Sequence, residues 1–62
     1  MKTIYIITVG IMFKNKTIRY STTTTYDILQ SLDLYKNYPE TEGYTKDEIE
    51  DVFLHFCVEI SE

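Results

Sequence analysis

The chain has 62 residues, ten carboxylates against six Lys and Arg, one cysteine, one histidine and a net charge of −4. That length excludes a multidomain protein and lies near the lower limit for unaided folding, because so small a chain buries only about 60% of the surface its unfolded form exposes. A single cysteine excludes an internal disulfide and a single histidine leaves few ligands for a metal, so self-association or a partner is the remaining support.

Composition also points to an origin. Eight Ile and nine Thr stand against no Ala and no Trp. The abundant residues Ile, Lys, Asn and Tyr have AT-rich codons, as expected of a phage, a mobile element or a low-GC bacterium.

The first element is the apolar run Ile4-Tyr5-Ile6-Ile7-Thr8-Val9-Gly10-Ile11-Met12-Phe13. Its β-branched and aromatic content predicts a strand from about Lys2 to Phe13. Alternation puts Tyr5, Ile7, Val9, Ile11 and Phe13 on one face and Ile4, Ile6 and Met12 on the other, so both faces are apolar. The run is well short of the roughly 20 apolar residues that span a bilayer. It also lacks the small-residue cleavage site of a signal peptide. The expectation is a soluble, cytoplasmic protein with no membrane partner, resident in the host cytoplasm if phage-encoded.

Lys14-Asn15-Lys16 predicts a turn with Asn15 in the left-handed conformation. Thr17–Thr22 reads as the returning strand of an antiparallel hairpin spanning about residues 2–25. Thr24-Thr25-Tyr26-Asp27 fits an acidic capping pattern, so a helix is expected over 26–37. Ile28, Leu29, Leu32 and Tyr35 form its apolar face, and Asn37 and Pro39 end it. Tyr38–Tyr44 is a loop by its Pro, Gly and polar content.

Thr45-Lys46-Asp47-Glu48 is a capping box. Behind it Ile49, Val52, Phe53, Phe56, Cys57 and Ile60 recur at helical spacing, which predicts a second helix over 45–60. Val52, Leu54, Phe56, Val58 and Ile60 alternate as well, so a third strand from about Leu54 is the alternative. The expected fold is one α+β domain over 1–62: an antiparallel β-hairpin packed on two short α-helices. A hairpin covered on one side leaves the second face of the first strand without cover from this chain.

No catalytic or metal-site motif is present. His55 and Cys57 are the only candidate pair, and on a helix they point about 200° apart. On a strand they share a face, still short of the ligands a metal requires. The expectation is a non-enzymatic protein without cofactor or metal.

Charge divides the chain. Residues 1–26 carry a net +4 through Lys2, Lys14, Lys16 and Arg19, and residues 27–62 carry a net −8. Complementary layers of one fold account for that split, as does a surface that steers a charged partner. Six tyrosines add amphipathic contact area of the kind enriched at interfaces. Gly10 in an apolar strand, followed by Phe13-Lys14-Asn15, resembles the opening of a small phage antitoxin; the resemblance covers that strand and turn and brings no functional residue with it.

The expected function is a small protein-binding module. Its most specific form is a phage or mobile-element inhibitor, anti-defence or antitoxin-like, that occludes a host protein. A structural or regulatory homodimer is the alternative. A nucleic-acid-binding hairpin and an acidic nucleic-acid mimic are further ones. Candidate partner-binding residues are Tyr5, Ile7, Val9 and Ile11 on the first strand. The tyrosines Tyr35, Tyr38 and Tyr44 and the carboxylates of Glu40, Glu42, Asp47, Glu50 and Asp51 complete the set.

Overall fold

A computed structural model describes residues 3–61. Three strands, β1 (Thr3–Phe13), β2 (Ile18–Thr25) and β3 (Ile49–Ser61), form one antiparallel sheet in the order β2-β1-β3. One helix, α1 (Ile28–Asn37), connects the hairpin to β3 through 3-10 turns at Pro39–Glu42 and Lys46–Glu48. The architecture is α+β, with one layer of sheet and one of helix.

The hairpin forms as expected, pairing Tyr5 with Thr25 at one end and Met12 with Ile18 at the other. The left-handed residue of its turn is Lys16, at φ 73°, and not Asn15. Asn15 contributes its side chain instead, with Oδ1 accepting from the Thr17 backbone N–H at 3.0 Å and from the Thr17 hydroxyl at 2.6 Å. The four threonines of 22–25 continue β2. Asp27 then caps α1, its carboxylate accepting from the Gln30 N–H at 3.1 Å.

The expected second helix is absent. The Thr45–Glu48 capping interaction does form, with the Thr45 N–H and hydroxyl both donating to Glu48 Oε1 at 3.1 and 2.8 Å. It closes a single 3-10 turn, after which the chain extends into the longest strand of the sheet. The strand alternative is therefore the correct one, beginning at Ile49 and not at Leu54. Pairing is the physical reason. β1 has a second edge of unpaired N–H and C=O groups, and β3 satisfies them from Phe13–Ile49 to Thr3–Ser61. Two extra residues on β3, Glu50 and His55, shift the register where Met12–Asp51 gives way to Phe13–Ile49 and Thr8–Phe56 to Val9–Leu54.

The helix lies on the β1 face that carries Ile7, Val9, Ile11 and Phe13, all of them buried. Ile28, Leu32 and Tyr35, at helical offsets of zero, four and seven, pack on that core with Tyr5, Tyr44, Ile49 and Val52. Leu29, expected on the same helical face, points outward instead and is 78% exposed. Burial of each of the four strand residues contributes roughly 1.5–3 kcal/mol. Pro39 is buried beside the helix end, and Gly43 takes a left-handed φ of 88° to turn the chain back toward β3. Among the described residues, no helix is long and apolar enough to cross a membrane.

Candidate protein-binding surface

The opposite sheet face has no layer over it. β1 contributes Ile4, Ile6, Thr8, Gly10 and Met12, which register pairing places beside Thr24, Thr22, Tyr20 and Ile18 of β2. On the other side they meet Ile60, Val58, Phe56, Phe53 and Asp51 of β3. Ile18, Tyr20, Phe56, Val58 and Ile60 are each between 41% and 58% exposed. A fold with a second layer would bury such residues.

Gly10 stands at the centre for a packing reason. The Phe53 ring lies across it, and a Cβ at position 10 would fall 2.2 Å from Phe53 Cζ. Tyr20, on the other neighbour of Gly10, stacks at a tilt on His55 with ring centroids 4.6 Å apart. The extra residue His55 thus reaches the open face, whereas Cys57 pairs with Ile7 on the helix-bearing face and is exposed there. The histidine and the thiol diverge even though both lie on one strand.

Polar groups on this face are few. The Thr8 and Thr22 hydroxyls hydrogen-bond to each other at 3.1 Å, so they need no water partner for that bond. Among the described residues, Asp51, at one end, is the only carboxylate that the register places on this face, and its Oδ1 accepts from the Val52 N–H at 2.9 Å. The other carboxylates among the described residues lie on the helix-bearing side, in the connecting turns or along the β3 edge.

The expected binding residues separate accordingly. Ile7, Val9 and Ile11 belong to the chain's own core, at 0–1% exposure, and offer nothing to a partner. Tyr5 is half-buried against that core. The correction is one of face. The helix claims the odd-numbered side of β1, because its bulkier, unbroken row packs a helix better than a row interrupted by Thr8 and Gly10. Tyr35 is half-buried with its hydroxyl 3.0 Å from Ser21 Oγ, and Tyr44 meets Phe13 edge-on at 5.0 Å. Tyr38, Glu40, Glu42 and Asp47 remain exposed on the helix side. Glu50 is paired with Lys16 at 2.8 Å across the hairpin turn.

Sequence reasoning identified Ile4, Ile6 and Met12 as a spare row but missed its neighbours Ile18, Tyr20, Phe53, Phe56, Val58 and Ile60. The alternation of Phe56, Val58 and Ile60 was the available signal on β3, although Val52 and Leu54, earlier in the same alternation, fall on the helix-bearing face because His55 is extra. A hollow of about 390 Å³ beside the hairpin turn is lined by Phe13, Lys14, Asn15, Thr17, Arg19, Tyr44 and Glu48. Among the described residues, no group of three or more His, Cys, Asp or Glu side chains is placed to hold a metal ion.

Comparison with protein-family models, with curated proteins and with solved structures gives no match.

Proposed function

We propose that the chain is a small non-enzymatic protein-binding module and that the open sheet face is its contact surface. One observation carries this reading: a mainly apolar sheet face whose half-buried central row is flanked by exposed Ile18, Tyr20, Phe56, Val58 and Ile60. Contiguous apolar patches of this kind mark interaction sites in soluble proteins. The mechanism is steric occlusion, in which the flat face covers a partner surface and excludes other ligands from it. Its most specific form is a phage or mobile-element inhibitor of a host or defence protein, working in the host cytoplasm.

A nucleic-acid surface on the hairpin finds less support. Tyr5 and Tyr20, the two tyrosines of the hairpin, lie on opposite faces of the sheet and so form no single stacking platform, and the Lys16 ammonium is engaged by Glu50. The acidic-mimic reading is weakened in the same way, since Glu48 is held in the Thr45 cap and Glu50 by Lys16.

The experiment is affinity capture from a host lysate with the tagged chain and with a Phe56→Lys variant. The expected result is a host protein retained in stoichiometric amount by the parent and lost by the variant. Equal retention by both would remove the open face from the reading.

A further inference from the structure

We infer that, in the absence of another partner, the open face is closed by a second copy of this chain, giving a two-fold symmetric, face-to-face sandwich of two sheets with the helices outside. This rests on the reading of the open face as a protein-contact surface and names its first occupant.

Four observations converge on a twin. The first is electrostatic. A molecule of net charge −4 repels its copy, yet the face carries Asp51 at one end as its only carboxylate among the described residues. The molecule is 15 Å across its thinnest dimension, and stacked sheets lie about 10 Å apart. Face-to-face packing therefore puts both sheets between the two helix-bearing sides, so carboxylates in the turns of one copy stand at least about a Debye length, roughly 10 Å, from those of the other.

The second observation is size. The molecule measures 40 Å by 18 Å in its two larger dimensions, and the strands run along its length. A stable interface buries about 800 Å² on each partner. The whole face is only of that order, so an occupant must cover nearly all of it to approach that area, and a copy has the matching length and flatness. Two twisted sheets pack with their strands about 30° apart, which keeps the long axes overlapping.

The third is desolvation. Covering a hydroxyl without a partner costs free energy, but the Thr8 and Thr22 hydroxyls share a hydrogen bond at 3.1 Å, which leaves one O–H donor of the two to be accommodated. The rest of the face is mainly apolar or aromatic, with the Thr24 hydroxyl and the His55 imidazole among its few polar groups. The fourth is the core itself: among the described residues, four buried hydrophobic side chains and Pro39 are few for a folded domain. A twin doubles the layers without adding sequence, the support that small chains without disulfides commonly use. Twin and target then compete for one face, so target binding draws on the dissociated chain.

Sedimentation equilibrium over a concentration series, joined to circular dichroism, tests this. The parent is expected to approach twice the 7.4 kDa chain mass with a Kd of about micromolar order. Phe56→Lys and Phe56→Glu put opposite charges at a residue that is 58% exposed, outside the core. Both are expected to keep the parent's strand signal and to raise Kd at least about a hundredfold. Leu29→Lys, on the outer helix surface, is expected to leave it unchanged. A parent that stays monomeric across the series overturns the inference, and so does a dimer that survives both Phe56 variants.

Should either variant unfold, amide shifts on dilution of the parent decide. Shifts grouped on Ile4–Thr8, Ile18–Thr22 and Phe56–Ile60 support the sandwich, and shifts confined to α1 or to the β3 edge alone overturn it. The two readings fail separately. A monomeric parent whose captured host protein is lost in Phe56→Lys removes the twin and keeps the contact face.

Discussion

At the scale of single residues, Gly10 shows how a weak strand former comes to occupy the centre of a sheet. Glycine in a strand interior is less favourable than alanine by roughly 0.5–1 kcal/mol. Here it makes room for the Phe53 ring, which would stand 2.2 Å from an added Cβ. Gly10→Ala is therefore expected to push the ring off the strand and lower stability by about 1–2 kcal/mol. In a Phe53→Ala background the same substitution is expected to be neutral or stabilising, because the obstruction is gone and only the backbone gain remains. Urea denaturation of the four proteins in that cycle measures the reversal; a cost of Gly10→Ala that is equal in both backgrounds would dissociate the glycine from the ring. Asp27 offers a plainer case. Its carboxylate caps α1 through the Gln30 N–H, so Asp27→Ala is expected to cost about 1 kcal/mol in the same assay.

The elements were unequally legible in the sequence. Hairpin and first helix followed from local signals: a polar turn between β-branched runs, and a cap followed by apolar residues at helical spacing. β3 was misread for a physical reason. Its inward residues Ile49, Val52, Leu54 and Cys57 and its outward residues Phe53, Phe56, Val58 and Ile60 are nearly all apolar, so a helical template can take every third or fourth residue from either face. The extra residues Glu50 and His55 also interrupt the period-2 pattern that would have identified a strand. A capping box then supplied a helix start that the chain uses for only one 3-10 turn. Local propensity was overridden by the unpaired edge of β1, which is not visible until the sheet exists.

Deletion of His55 distinguishes the two conformations directly. In a strand, removing the extra residue restores simple alternation, so Phe56, Val58 and Ile60 stay on the open face. Stability is expected to fall by no more than about 2 kcal/mol. In a helix the same deletion would rotate everything after it by about 100° and unpack one turn after another. Thermal unfolding followed by circular dichroism reads the difference. The Lys16–Glu50 pair, joining the turn to β3, belongs to this scale too. Its side chains are 72% and 43% exposed, so Glu50→Gln is expected to cost under about 1 kcal/mol, less at high salt.

For the whole molecule, the division of charge along the sequence becomes a spatial arrangement. The basic hairpin turn meets the acidic start of β3 through Lys16 and Glu50, while most carboxylates lie away from the open face. Among the described residues, Asp51 is then the one carboxylate that the register places on the open face. Two apolar faces on the first strand signalled in advance that one would lack cover, but not which. That choice depends on where α1 docks, and docking is set by rows of side chains that only the folded sheet brings into line. Photo-crosslinking measures the outcome most directly, with a benzophenone side chain placed at Phe56 in one protein and at Leu29 in another. The expected result is abundant covalent adducts from position 56, at twice the chain mass or to a captured partner, and few from position 29. Adducts that form only from position 29, or equally from both, would contradict the assignment of the open sheet face as the surface through which this protein binds.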